Sequence, residues 1–215
     1  MEQSVRSKKG LFISLEGLDG CGKTTQIKFL RQAFQREGKE VINFREPGCT
    51  PLGEKLREIV LHSDSEIGER AELLIYLSSR AQVTDEIVVP ALNQGKIVIA
   101  DRYADSSVAY QGFGRAIGPE RVKALNDFAI KKIYPDITFL LEISVEEALR
   151  RLRNKPLDRL EKERGPFFQK VHEGYEWLCQ QNPGRFVKIP GEIEPQQVSH
   201  LILKALEERG FLRAC

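Results

Sequence analysis

The chain has 215 residues, 41% hydrophobic and 30% charged, which suits one packed domain with room for a mobile insertion and is cramped for two. A formal net charge of +2 excludes whole-protein attraction to nucleic acid or an anionic membrane, so any electropositive site must come from local clustering. Cys21, Cys49, Cys179 and Cys215 form no CxxC pair and the three histidines lie far apart. That excludes a disulfide framework and a zinc cage, and points to a reduced, cytoplasmic protein.

The basic start, 1–10, reads as a flexible tail: only the five-residue run LFISL separates it from Glu16, too short for a signal core. No later run could span a bilayer. LFISL (11–15) reads as a strand, and from Lys23 the positions Ile27, Leu30 and Phe34 repeat at helical spacing. EVINF (40–44) is a second strand. A long helix is expected from Glu69 onward, with Leu73, Leu74, Leu77, Ala81 and Val88 on one periodic face. IVIA (97–100), ITFLLEI (137–143) and FVKI (186–189) complete five strands. Most are too apolar to alternate, as strands covered on both faces should be. Gly38 and Gly95, each followed by lysine, read as helix stops. This alternation predicts a doubly wound α/β domain over 11–215, with a parallel five-stranded sheet and helices on both faces. Ligands in such folds bind at the carboxyl ends of the strands.

Between the first strand and the first helix stands EGLDGCGKTT (16–25). Gly17, Gly22, Lys23 and Thr24 satisfy GxxxxGK(S/T) in the strand-to-helix context of a phosphate-binding loop, with Leu18, Asp19, Gly20 and Cys21 between them. The glycines let backbone N–H groups curl around the phosphates of ATP, and the helix start adds its positive dipole end. Lys23 reaches the β and γ phosphates; Thr24 offers a hydroxyl to Mg²⁺. Cys21 reads as a small side chain at a free position, although a thiol at a helix start can also be reactive. Asp101, ending IVIA, stands where a Mg²⁺-holding carboxylate sits in P-loop proteins, and a helix N-cap is the competing reading.

A P-loop is compatible with a phosphotransferase, a guanine-nucleotide switch or a non-catalytic binding module. The nearest approach to the NKxD base reader of a switch is NKPLD (154–158), one residue too long and not after an apolar strand, and no DxxG follows a later strand. The switch is excluded; the binding module is not.

Four ordered blocks, EGLDGCGKTT, REPG (45–48), ELLIYLSSRAQ (72–82) and DRYADSSVAYQG (101–112), followed by LDRLE (157–161), resemble the thymidylate kinases. The resemblance runs from residue 11 to about 206. It implies transfer of the ATP γ-phosphoryl group to dTMP, giving dTDP and ADP, with Mg²⁺, in a cytoplasmic homodimer with no nucleic-acid or membrane partner. Kinases for dUMP or dCMP are the alternatives within this chemistry. The helix from Glu69 is a candidate interface, against burial within the monomer.

The blocks also make chemical sense. A nucleoside monophosphate is dianionic, and Arg45 and Arg102, each just after a strand, can neutralise it, unless they are ordinary surface side chains. Its nucleophilic oxygen is already ionised, so no general base is expected. Tyr76 and Arg80, four apart, share a helix face where a ring can stack on a base and a guanidinium can donate to thymine O4. A part-buried tyrosine beside a surface arginine is the competing reading. The family usually has phenylalanine at the Tyr76 position. The resemblance alone implies that Tyr110 crowds the sugar C2′, that Ser106 and Gln111 lie beside the base, and that Asp19 holds the 3′-OH. Some family members carry an arginine where this chain has Gly20. The missing cation is expected from RRLRNKPLDRLEKER (150–164), a mobile lid over about 150–165 as in the bacterial-type arrangement. Arg153 and Arg159 are its expected catalytic cations, and Arg150, Arg151 and Arg164 a solvated face.

Overall fold

The computed structural model describes residues 10–63, 65–153, 158–163 and 165–213. Five parallel strands, β1 (Leu11–Glu16), β2 (Val41–Arg45), β3 (Ile97–Asp101), β4 (Ile137–Glu142) and β5 (Phe186–Pro190), form one sheet in the order β2-β3-β1-β4-β5. Each lies within one residue of its expected run. The pleat sends Ile13 and Leu15 into a large core on one face and Phe12 into a smaller core, with Val98 and Phe44, on the other. Burying each such side chain is worth about 1.5 to 3 kcal/mol relative to exposure. Two-sided burial holds for β1 and for most of β3 and β4, whereas the edge strands β2 and β5 are partly open. The expectation for apolar strands therefore holds at the centre of the sheet and fails at its margins.

Helix α1 (Lys23–Arg36) joins β1 to β2, burying Ile27, Leu30 and Phe34 as their spacing requires. It stops before Gly38, at φ 72°; Gly95, at φ 78°, does the same before β3. Helix α2 (Pro51–His62) starts with Pro51 at its first turn and the Thr50 hydroxyl accepting from Gly53 N at 2.9 Å. The long helix expected from Glu69 is three pieces: α3 (Glu69–Val83), a π-helical turn (Thr84–Val88) and α4 (Val89–Asn93). The wider turn delays the helical phase, so Val83, Thr84 and Val88 all remain buried. Leu74, expected on the same face, is 56% exposed, because it follows Leu73 by only one position and turns outward.

Beyond β3 come α5 (Ala104–Ser107), a second π-helical turn (Val108–Gly114) and α6 (Pro119–Ala129). After β4, α7 (Val145–Leu152) is capped by Ser144, whose hydroxyl accepts from Glu147 N at 3.3 Å. Helices α8 (Gly165–Gln181) and α9 (Pro195–Glu208) flank β5. No helix among the described residues is long and apolar enough to cross a membrane.

Candidate active site

The carboxyl ends of β1, β2 and β3 open into a cavity of about 500 Å³. Its phosphate-loop wall begins where β1 ends. Gly17 has φ 135°, and a Cβ there would lie 2.5 Å from the Leu141 carbonyl oxygen, so the chain can leave the strand this close to β4 only with glycine. The Lys23 ammonium is buried at the base of the loop, donating to the carbonyls of Gly17 (3.2 Å) and Leu18 (3.1 Å). Cys21 is 3% exposed and belongs to the large core. Its expected reactivity is thus corrected, since burial denies a reagent access, and its position is packed in the core rather than free.

The Thr24 hydroxyl donates to Asp101 Oδ2 at 3.2 Å, bringing two hard oxygen donors together on the cavity wall. Helix α5 begins only at Ala104, with Tyr103 at its N-cap and no side-chain cap bond, which rules out the N-cap reading of Asp101. In phosphoryl-transfer sites Mg²⁺ is held by one or two protein oxygens plus substrate phosphates rather than by an all-protein cage. Thr24 and Asp101 fit that ion. No group of three His, Cys, Asp or Glu side chains suited to a metal occurs among the described residues.

Arg102, in the left-handed region at φ 69°, is no surface side chain. Its guanidinium donates to Gly17 O (2.9 Å), Ser106 Oγ (3.2 Å), Tyr175 Oη (3.1 Å), Asp19 Oδ1 (2.5 Å) and Tyr110 Oη (3.0 Å). The Tyr110 hydroxyl donates to the other Asp19 oxygen at 2.9 Å. Burial alone would raise the Asp19 carboxyl, but Arg102 and Lys23 hold it down to about 2. Beneath this group lies Glu16, absent from the sequence expectations. It accepts from Tyr103 N (2.8 Å), Ser106 Oγ (2.5 Å) and Tyr175 Oη (3.0 Å), and burial, with the Asp105 charge, pushes its carboxyl up.

Arg45 reaches the cavity rim, half exposed and paired with Glu54 at 3.0 and 3.1 Å. Arg57 on α2, a further cation on the wall that sequence reasoning missed, donates to Pro47 O at 3.0 Å. Its only signal is its spacing, three residues beyond Glu54.

Tyr76 and Arg80 both line the cavity, as their shared helix face requires. The surface-arginine reading is overturned, since Arg80 is 1% exposed. Its Nε donates to Glu46 Oε2 (2.7 Å) and its Nη1 to Ser107 Oγ (2.8 Å) and Asn126 Oδ1 (2.7 Å), while Nη2 stands 2.6 Å from Glu46. One Nη2 N–H is left without a described partner. Burial pushes the Glu46 carboxyl up to about 7 against the pull of Arg80. Arg80→Ala is therefore expected to cost about 3 to 5 kcal/mol of stability by stranding a buried carboxyl. Adding Glu46→Gln should recover much of that loss, which urea unfolding of both variants measures.

Gln111 lines the cavity and donates through Nε2 to Glu72 Oε1 at 2.9 Å; Ser106 lines it too. The lid arginines divide differently from expectation. Arg159 is tied down, with Nε donating to Val60 O at 2.9 Å and Nη2 paired with Glu72, and it does not line the cavity. This corrects its role as a free cation to that of a tie between segment 158–163 and helices α2 and α3. Arg151, expected on a solvated face, instead donates to Gly20 O (3.1 Å) and Gly191 O (3.2 Å) while Glu147 holds its Nε at 2.6 Å. The bare glycine admits it: a Cβ on Gly20 would lie 3.1 Å from Arg151 Cβ. Arg150 pairs with Glu147 on the exposed side, as expected. Arg153 is exposed and its side chain pairs with no described residue. The tail 1–9, Arg164 and the lid positions 154–157 lie outside the described residues.

The thymidylate kinase family model matches residues 15–202. A thymidylate kinase of Caldanaerobacter subterraneus subsp. tengcongensis is 48% identical over 200 residues, covering 93% of this chain and 96% of that one. One from Thermosipho africanus is 52% identical over 165 residues, 77% of this chain and 82% of the relative. The crystal structure of thymidylate kinase from Ehrlichia chaffeensis superposes with a TM-score of 0.77 at 32% identity, covering 92% of this chain and 98% of that one. With a phosphate loop, a basic cavity wall and likeness along nearly the whole chain, the protein belongs to the thymidylate kinase family.

Proposed function

We infer that this chain transfers the γ-phosphoryl group of ATP to dTMP, giving dTDP and ADP. Family membership carries the reaction. The observation that best supports the acceptor is the convergence of Arg102, Tyr76, Arg80 and Gln111 on the cavity that Lys23 also lines. The P-loop amides and Lys23 hold the ATP phosphates. Arg102, with Arg45 at the rim, neutralises the acceptor phosphate, whose own ionised oxygen is the nucleophile, so alignment replaces a general base. Asp19, kept ionised, accepts from the sugar 3′-OH, and Tyr110, fixed on Asp19 and Arg102, closes the space beside C2′. Tyr76 stacks on the base and Arg80 donates to O4. Thr24 and Asp101 would hold Mg²⁺, which would supply charge neutralisation for the phosphates. Arg153, on a lid over about 150–165, is the cation for the transferring group. A panel assay of ADP release with dTMP, dUMP and dCMP tests this against the other monophosphates and against a binding module.

The active form in this proposal is a homodimer in the cytoplasm. The described cysteines Cys21, Cys49 and Cys179 are free thiols, which suits a reducing compartment. Helices α2, α3 and α6 pack side by side and leave Ile59, Leu74, Leu125 and Phe128 exposed, the last at 87%. A second copy covering them buries that apolar surface. Light scattering should give twice the 24.5 kDa chain mass, and Phe128→Arg should return the monomer. A wild-type mass of one chain contradicts the dimer.

A further inference from the structure

Glu72 on α3 is fully buried, yet no step of the proposed reaction uses it. Its described side-chain partners are all donors: Gln111 Nε2 (2.9 Å), Arg115 Nε (3.3 Å) and Nη2 (3.2 Å), and Arg159 Nη2. Two of these side chains are guanidiniums, which have no acceptor to offer. A carboxyl surrounded this way can only accept.

That fixes the neighbour. A glutamine carboxamide has a donating and an accepting end, and against an obligate acceptor it must present its NH₂. The Gln111 carbonyl is then the end left for the cavity that Gln111 lines. The only buried side-chain polar atoms without a partner among the described residues are Gln26 Oε1 and Glu46 Oε1. Gln111 Oε1 is neither of these and has no described protein donor, so the cavity reaches it. Arg80, which lines the same cavity, carries only donors.

We propose that Glu72 is a positioning residue that locks the Gln111 carboxamide with its oxygen toward the base, selecting pyrimidines whose ring N3 carries a proton. This rests on reading the cavity as the base pocket. An acceptor at Gln111 and a donor at Arg80, on the wall of one cavity, complement the N3–H and O4 of thymine or uracil. Cytosine offers the inverse, a bare N3 and an amino group, and leaves both protein groups opposed by their own kind. Buried groups left unpaired in this way reject a ligand more strongly than a poor shape does.

The test is the ratio of kcat/KM for dTMP to that for dCMP. Glu72→Gln makes the hub able to donate, so the Gln111 amide can turn over. The ratio should fall by about tenfold to a hundredfold, with KM for ATP within about twofold. In a Gln111→Leu background, adding Glu72→Gln should leave the ratio where Gln111→Leu alone puts it. An unchanged ratio in folded Glu72→Gln overturns the proposal, as does an equal fall in the Gln111→Leu background, which would make Glu72 merely structural. If Gln111→Leu itself changes neither KM for dTMP nor the ratio, the base-pocket reading fails and takes the proposal with it. Should Glu72→Gln not fold, Glu72→Asp decides: its shorter carboxylate no longer reaches Gln111 Nε2, so the ratio should fall, and an unchanged or higher ratio overturns the proposal.

Discussion

Lys23→Ala should lower kcat by at least about 10²- to 10³-fold while the protein stays folded. The ammonium lies against the P-loop backbone, already desolvated and aimed by the Gly17 and Leu18 carbonyls. Such a preorganised cation acts where charge redistributes in the transition state, at no reorganisation cost during the step. The fold loses two hydrogen bonds to loop carbonyls, each worth about 1 kcal/mol net, and a longer one to Cys21 Sγ at 3.5 Å. Steady-state kinetics beside a thermal melt separate the two effects. KM for dTMP should move little, because Arg102, Tyr76, Arg80 and Gln111, the residues assigned to the acceptor, stay in place. Unchanged turnover in a folded variant contradicts the P-loop assignment.

Arg153→Ala should lower kcat by about 10²- to 10⁵-fold, spanning the loss of one electrostatic donor and the loss of an arginine finger. The argument is sharper than the charge run alone allows, because the structure occupies its neighbours. Arg150 pairs with Glu147, Arg151 is spent on Gly20 O, Gly191 O and Glu147, and Arg159 is spent on Val60 O and Glu72. Arg151→Ala should therefore behave differently: it releases α7 from the phosphate loop, raising KM for ATP more than it lowers kcat. Rapid-quench measurement of the phosphoryl-transfer step in both variants checks the division. Near wild-type rates in Arg153→Ala, with the full loss in Arg151→Ala, would move the missing cation to α7.

Much of this was legible because its signals are local. The P-loop announces itself by glycine, lysine and threonine within eight residues, and the five apolar runs mark the strands to within one residue. Tyr76 and Arg80 follow from helical spacing, and both do reach the cavity. What escaped depends on partners far apart in sequence. Glu16, Glu46 and Glu72 look like ordinary acids until Tyr175, Arg80 and Arg159 arrive from other elements. In RRLR the arginines are indistinguishable by composition; the fold separates them, since Arg151 alone meets the gap over Gly20. The π-helical turn after α3 leaves no local mark either, because Thr84–Val88 continues an apolar helical pattern. Cys21 shows the opposite failure, where a helix-start position suggested reactivity that burial removes.

The measurement that bears most directly on the whole account is ADP release from ATP by the intact protein, with Mg²⁺ and in turn dTMP, dUMP and dCMP as acceptor. The account predicts turnover with the highest kcat/KM for dTMP, and loss of that turnover when Mg²⁺ is chelated. A preference for dCMP, or no turnover with any of the three, would contradict it.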